Sequence, residues 1–108
     1  MKKYLALYRS TVSAQEMMKA ATEEQAKAGM NLWMAWMQDT RDFIVDIGSP
    51  LGESTVVGGS AGVGFIGGFT IVQADSLNAA KALFSDHPHF HASGASVEIL
   101  EFMNMPGM

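Results

Sequence analysis

Three imidazoles at alternate positions, in His87-Pro88-His89-Phe90-His91, are the densest cluster of chemistry-bearing side chains in this chain of 108 residues. In an extended segment alternate side chains project to one side, so the three can converge on a metal, or one can act as a general base oriented by Asp46 or Asp86. Equally, His87 can sit at the negative end of a helix while His89 and His91 decorate a loop. No carboxylate–histidine spacing of the helical zinc type accompanies them, so neither a metal site nor a cofactor is assigned. Asp46 is the preferred partner for His89, because it falls late in an apolar strand beside the Gly48-Ser49-Pro50 turn. Asp42, Glu98 and Glu101 also fall on expected strands, where burial would raise a carboxyl pKa, but Asp42 and Glu98 are placed more simply near solvent at strand ends.

Trp33, Trp36 and nine methionines can wall a pocket for a small apolar or aromatic molecule, with His87 and His91 as further candidate contacts. Ordinary core and interface packing explains the same residues. The glycine-rich stretch around Gly58-Gly59-Ser60-Ala61-Gly62-Val63-Gly64 is a poor phosphate cradle: no Lys-Ser/Thr ends it, and Gly67-Gly68-Phe69 opens a strand instead of a helix. A mobile lid or a barrel-edge loop suits it better.

The elements that must position these residues follow from periodicity and caps. Tyr4 to Tyr8 reads as a first strand. Ser13 to Ala21 carries a weak helical pattern. Thr22-Glu23-Glu24-Gln25 is a capping box that should start a helix, and Ala26, Met30, Trp33 and Met37 recur on one stripe that should face a sheet, leaving Leu32 and Trp36 off it. Arg41 to Ile47 reads as a second strand, stopped by Gly48-Ser49-Pro50. Gly48 to Gly68 holds eight of the eleven glycines and reads as a loop with a short extended piece at Ser54 to Val57. Gly68 to Gln73 is the third strand; Asp75-Ser76 caps a helix through Leu77, Ala80, Leu83 and Phe84 that His87-Pro88 should end; Ser96 to Met103 is the last strand. The order strand, helix, strand, strand, helix, strand is the split β-α-β arrangement of an α+β, ferredoxin-like plait (β-α-β-β-α-β).

Composition narrows the function classes. The length suits a single domain over residues 1–108 with one core. Apolar residues at 48% and charged residues at 17% leave more apolar surface than a lone soluble domain needs, so some of it should meet a partner. The net charge of −4 and the scattering of seven basic residues argue against nucleic acid. The absence of cysteine excludes disulfides and thiolate chemistry. No apolar run reaches the roughly 18 residues of a membrane span, and the Met1–Arg9 opening is too short for a signal peptide, so a cytoplasmic location is expected.

Two helices cover one face of such a sheet, yet the strands carry apolar residues at both parities, as in Tyr4, Ala6 and Tyr8 against Leu5 and Leu7. A one-sided sheet alternates apolar with polar, so a second copy of the chain is the expected cover for the other face. The irregular apolar tail Met103 to Met108 is expected against a neighbouring subunit.

Four pieces of the chain resemble the YCII-related (DGPF) family: Gly48-Ser49-Pro50-Leu51, Gly67-Gly68-Phe69-Thr70-Ile71, Ala74-Asp75-Ser76-Leu77 with Ala79-Ala80, and His87-Pro88 followed by Ser96-Val97-Glu98-Ile99. The likeness runs over most of the chain from about Thr22 onward and implies a dimeric α/β barrel in which two ferredoxin-like sheets face each other. Some members of that family have a His–Asp pair, with the His on the first helix and the Asp near the end of the second strand. Here the helix from Thr22 to Gln38 holds no histidine, so the pair does not carry over, and the Asp-Gly-Pro-Phe motif is missing from the glycine-rich loop. The expected function is a homodimeric small-molecule enzyme using His89 and Asp46 for proton transfer beside Trp33. The alternative is a non-catalytic ligand-binding or accessory module.

Overall fold

The computed structural model describes residues 1–92 and 94–106. Strands β1 (Lys2–Ser10), β2 (Ile44–Asp46), β3 (Phe65–Ala74) and β4 (Ser96–Glu101) form one antiparallel sheet in the order β2-β3-β1-β4. Helices α1 (Ala14–Ala20), α2 (Glu23–Thr40) and α3 (Leu77–Leu83) complete an α+β, ferredoxin-like plait. Extents of 48 × 40 × 19 Å correspond to two layers, one sheet and one helix layer thick.

The core lies between those layers. Tyr4, Ala6, Tyr8, Val72 and Ala74 from the sheet pack in one cluster with Trp36, Ala80 and Phe84 from the helical side. The intervening residues point the other way: Leu5 stands opposite Ile71 and Leu100, and Leu7 opposite Phe69, forming an apolar row that no described residue of the core cluster covers.

Local chemistry explains the helix starts. Thr22 accepts from Gln25 N–H at 3.1 Å while the Gln25 side chain accepts from Thr22 N–H at 2.9 Å, the reciprocal capping box expected there. Ser76 caps α3 through Ala79 N–H, and Ser13 caps α1, the segment whose pattern was weak.

Several boundaries and one helix face differ from the sequence expectation. The buried residues of α2 are Trp36 and Thr40, with Trp33 and Met37 partly buried beside them, whereas Ala26 and Met30 are exposed. The stripe facing the sheet therefore runs through positions 33, 36, 37 and 40, and Trp36 lies at its centre. Thr40 fits there because its hydroxyl donates to Trp36 O one turn back, at 2.7 Å, so no polar atom is left unpaired. Arg41–Phe43 forms a 3-10 turn instead of extending β2, and β3 starts earlier than expected, at Phe65. Ser54 to Val57 forms no strand, α3 stops at Leu83, and β4 ends at Glu101. Met103 and Met105 of the tail are exposed in the single chain, and Gly107 and Met108 lie outside the described residues.

Candidate functional site

His87 to His91 is neither extended nor a plain loop. Pro88–His91 makes a 3-10 turn with Pro88 in its first turn and His87 as its cap, the His87 Nδ1 accepting from His89 N–H at 2.9 Å. That turn buries His87 and His89 and leaves His91 exposed, so the three imidazoles do not converge. Among the described residues no group of three or more His, Asp or Glu is placed to hold a metal.

The two buried imidazoles have different surroundings. His87 is 1% exposed and ringed by aromatic side chains: Trp33 and Trp36 with centroids at 4.4 Å each, Tyr8 at 4.9 Å and Phe84 at 5.7 Å. Because its Nδ1 is an acceptor, the neutral ring carries its proton on Nε2, and that buried nitrogen has no hydrogen-bond partner. The two indoles beside it are steeply inclined to the imidazole plane, at 85° and 66°. Burial first, and repulsion by His89 second, pull the His87 pKa down to about 4.

His89 sits at the join of three elements. Its Nε2 lies 2.8 Å from Arg9 O at the end of β1 and 3.1 Å from Ser96 O at the start of β4. Two carbonyls can only accept, so the proton is fixed on Nε2, and Nδ1 is the basic nitrogen of the neutral ring. His89 lines a cavity of about 430 Å³ bounded by α1, α2, the exit of β2 and the start of β3.

The cavity wall is almost wholly apolar. Met17 and Met18 come from α1, Met30 and Trp33 from α2, and Pro88 and Tyr8 flank His89. Tyr8 contributes its ring but keeps its hydroxyl inside: the Thr70 hydroxyl donates to Ile47 O at 2.9 Å, so Tyr8 donates to Thr70 at 2.7 Å. Burial pushes the Tyr8 phenol up to about 12, against the opposing pull of that Thr70 bond. The opposite rim comes from Ile47 to Pro50 and Gly67 to Phe69. Gly48 is required there: its φ is +82°, and a Cβ would come within 1.7 Å of Phe69 O. Leu51 N–H donates to Gly67 O at 2.9 Å and Phe69 N–H donates to Ser49 O at 3.3 Å, tying the turn to β3.

Of the sequence-chosen residues, His89 and Trp33 share the cavity wall. His87 and Trp36 lie together behind it, where Trp36 Nε1 donates to Leu83 O at 2.9 Å. Asp46 is exposed and absent from the wall, its carboxylate accepting from Gly48 N–H at 2.8 Å, so the structure does not bring it to the imidazole of His89. Glu98 and Glu101 form exposed ion pairs with Arg9 and Lys2, at 3.3 Å each. Tyr8 and Pro88 carry no pocket signal in the sequence, and Met17 and Met18 enter it only as two of the nine methionines. A methionine pair in a short amphipathic segment just before a capping box was the one available signal.

Comparison with known proteins fits this picture. No curated protein matches the chain. Among solved structures, one similar chain is the 5-chloro-2-hydroxyhydroquinone dehydrochlorinase TftG from Burkholderia phenoliruptrix AC1100, in complex with 2,5-dihydroxybenzoquinone. It is 16% identical at a TM-score of 0.52, with 94% of this chain and 95% of that one covered, a likeness of fold. The family model for the YCII-related domain matches residues 6–103, and the chain belongs to the YCII-related domain family.

Proposed function

We propose that the protein is a small-molecule enzyme in which His89 exchanges a proton with an apolar, ring-bearing ligand held in the cavity. The observation that carries this reading is the pinned imidazole: Arg9 O and Ser96 O hold Nε2–H, leaving Nδ1 as a base on an otherwise apolar wall. That the dehydrochlorinase of like fold is solved with a quinone supports the choice of a small ring compound.

Indanone is a suitable probe, being uncharged, flat and acidic at carbon next to its carbonyl. The protein should speed exchange of those hydrogens in deuterium oxide. His89→Gln keeps an N–H near the Nε2 position but has no basic nitrogen, and should slow the catalysed exchange about 100-fold. Equal exchange by both proteins would remove His89 from the chemistry.

A second reading, a non-catalytic ligand-binding or accessory module, draws on the wall's lack of any carboxylate to work with His89. Binding of indanone with no faster exchange would favour it.

Either reading places one domain in a homodimer, with a second copy covering the apolar row of Leu5, Leu7, Phe69, Ile71 and Leu100. Light scattering should give twice the chain mass of 11.6 kDa, and Ile71→Lys should halve it. A wild-type mass of one chain would dismiss the dimer.

A further inference from the structure

The cavity wall also constrains the kind of molecule it can accept. Every described residue lining it is uncharged or a histidine: there is no Lys, Arg, Asp or Glu among them. A carboxylate or phosphate entering this space would lose its hydration with no cation to meet it, and an ammonium would meet no anion. An uncharged molecule avoids that cost.

Both hydroxyls on the wall are already committed. The Tyr8 hydroxyl donates inward to Thr70, and the Ser49 hydroxyl donates to Pro50 O at 2.9 Å. The imidazole N–H of His89 is shared between Arg9 O and Ser96 O. What remains on the His89 ring is Nδ1, a lone pair. The group complementary to Nδ1 is a donor, and a phenolic hydroxyl is an uncharged donor that an imidazole can deprotonate. Around it stand Trp33 and the thioethers of Met17, Met18 and Met30, surfaces that favour a flat aromatic ring.

We infer that this site takes uncharged hydroxyarenes, phenol-type molecules whose O–H donates to His89 Nδ1 while the ring lies among Trp33, Met17, Met18 and Met30, and that it rejects aromatic acids and phosphate esters. The inference rests on the reading of the cavity as the ligand site and adds the class of ligand. In the step it implies, the O–H bond breaks, the proton forms a bond to Nδ1, and the electron pair stays on the oxygen as a phenolate. No oxidant or further reactant is involved.

Three probes of one ring system test it: naphthol, its methyl ether and naphthoate, titrated into the full chain by calorimetry with methionine methyl NMR as a location marker. Naphthol should bind about tenfold more tightly than the ether, the contribution of one hydrogen bond. Naphthoate should bind more weakly than both. In His89→Gln the preference for naphthol over the ether should collapse toward parity. An unchanged amide spectrum would show that this variant is folded, and the wild-type ranking stands as a test without it. Naphthoate binding best, or equal binding of naphthol and ether to the wild type, would overturn the assigned class while leaving the cavity as a binding site. If none of the three moved the Met17, Met18 or Met30 methyl resonances, the ligand-site reading itself would fall and the class with it.

Discussion

His87 and His89 stand two residues apart in one 3-10 turn, and their environments diverge completely. The region around His87 is filled: four aromatic rings surround the imidazole, its Nδ1 is spent on His89 N–H, and its Nε2 faces no acceptor. The region around His89 is hollow on one side, and its Nε2 is the nitrogen that is spent. Residue type makes both histidines candidates. Which nitrogen is consumed by the backbone, and whether the other meets protein or space, separates a packing residue from a chemical one.

The contrast breaks most severely through the filled side. Trp36→Ala removes an indole that packs on Phe84 and His87 and leaves Leu83 O without its donor, and should cost about 3–5 kcal/mol in urea unfolding. On the hollow side, Met18→Ala removes a side chain that is 67% exposed and should change stability by no more than about 0.5 kcal/mol, while weakening binding of ring compounds. Equal costs for the two substitutions would erase the distinction between a packed region and a cavity.

A smaller effect comes from pH. The fold holds His87 neutral, with its pKa lowered from 6.5 to about 4, so between those values the unfolded chain binds more protons than the folded one. Its contribution is complete above pH 6.5 and is lost progressively as the pH falls toward about 4. The loss should be about 3 kcal/mol, read from unfolding curves across that window, and His87→Phe should flatten that slope. A wild-type slope identical to that of the variant would contradict the sealed assignment.

The sequence makes some of this visible and hides the rest for physical reasons. Thr22 with Gln25 and Ser76 with Ala79 are readable because caps use neighbours in the chain. The order of elements is readable because turns and periodicity are local. The face of α2 is not, since apolar residues lie on more than one side of it and Thr40 hides on the buried stripe by bonding back to Trp36 O. The role of His89 depends on carbonyls at Arg9 and Ser96, one of them 80 residues away, which no local pattern encodes. Asp46 looks like a partner for His89 by its place late in β2, but its carboxylate has a nearer donor in Gly48 N–H, created by the turn that the glycine allows.

Nitrogen NMR of histidine-labelled protein, recorded with and without indanone, tests the assignment of the two imidazoles most directly. Both rings should carry the proton on Nε2 at neutral pH, and added ligand should move the Nδ1 resonance of His89 while leaving that of His87 in place. A proton on Nδ1 of His89, or a ligand response at His87 alone, would contradict the structure-based division between the reactive and the sealed histidine.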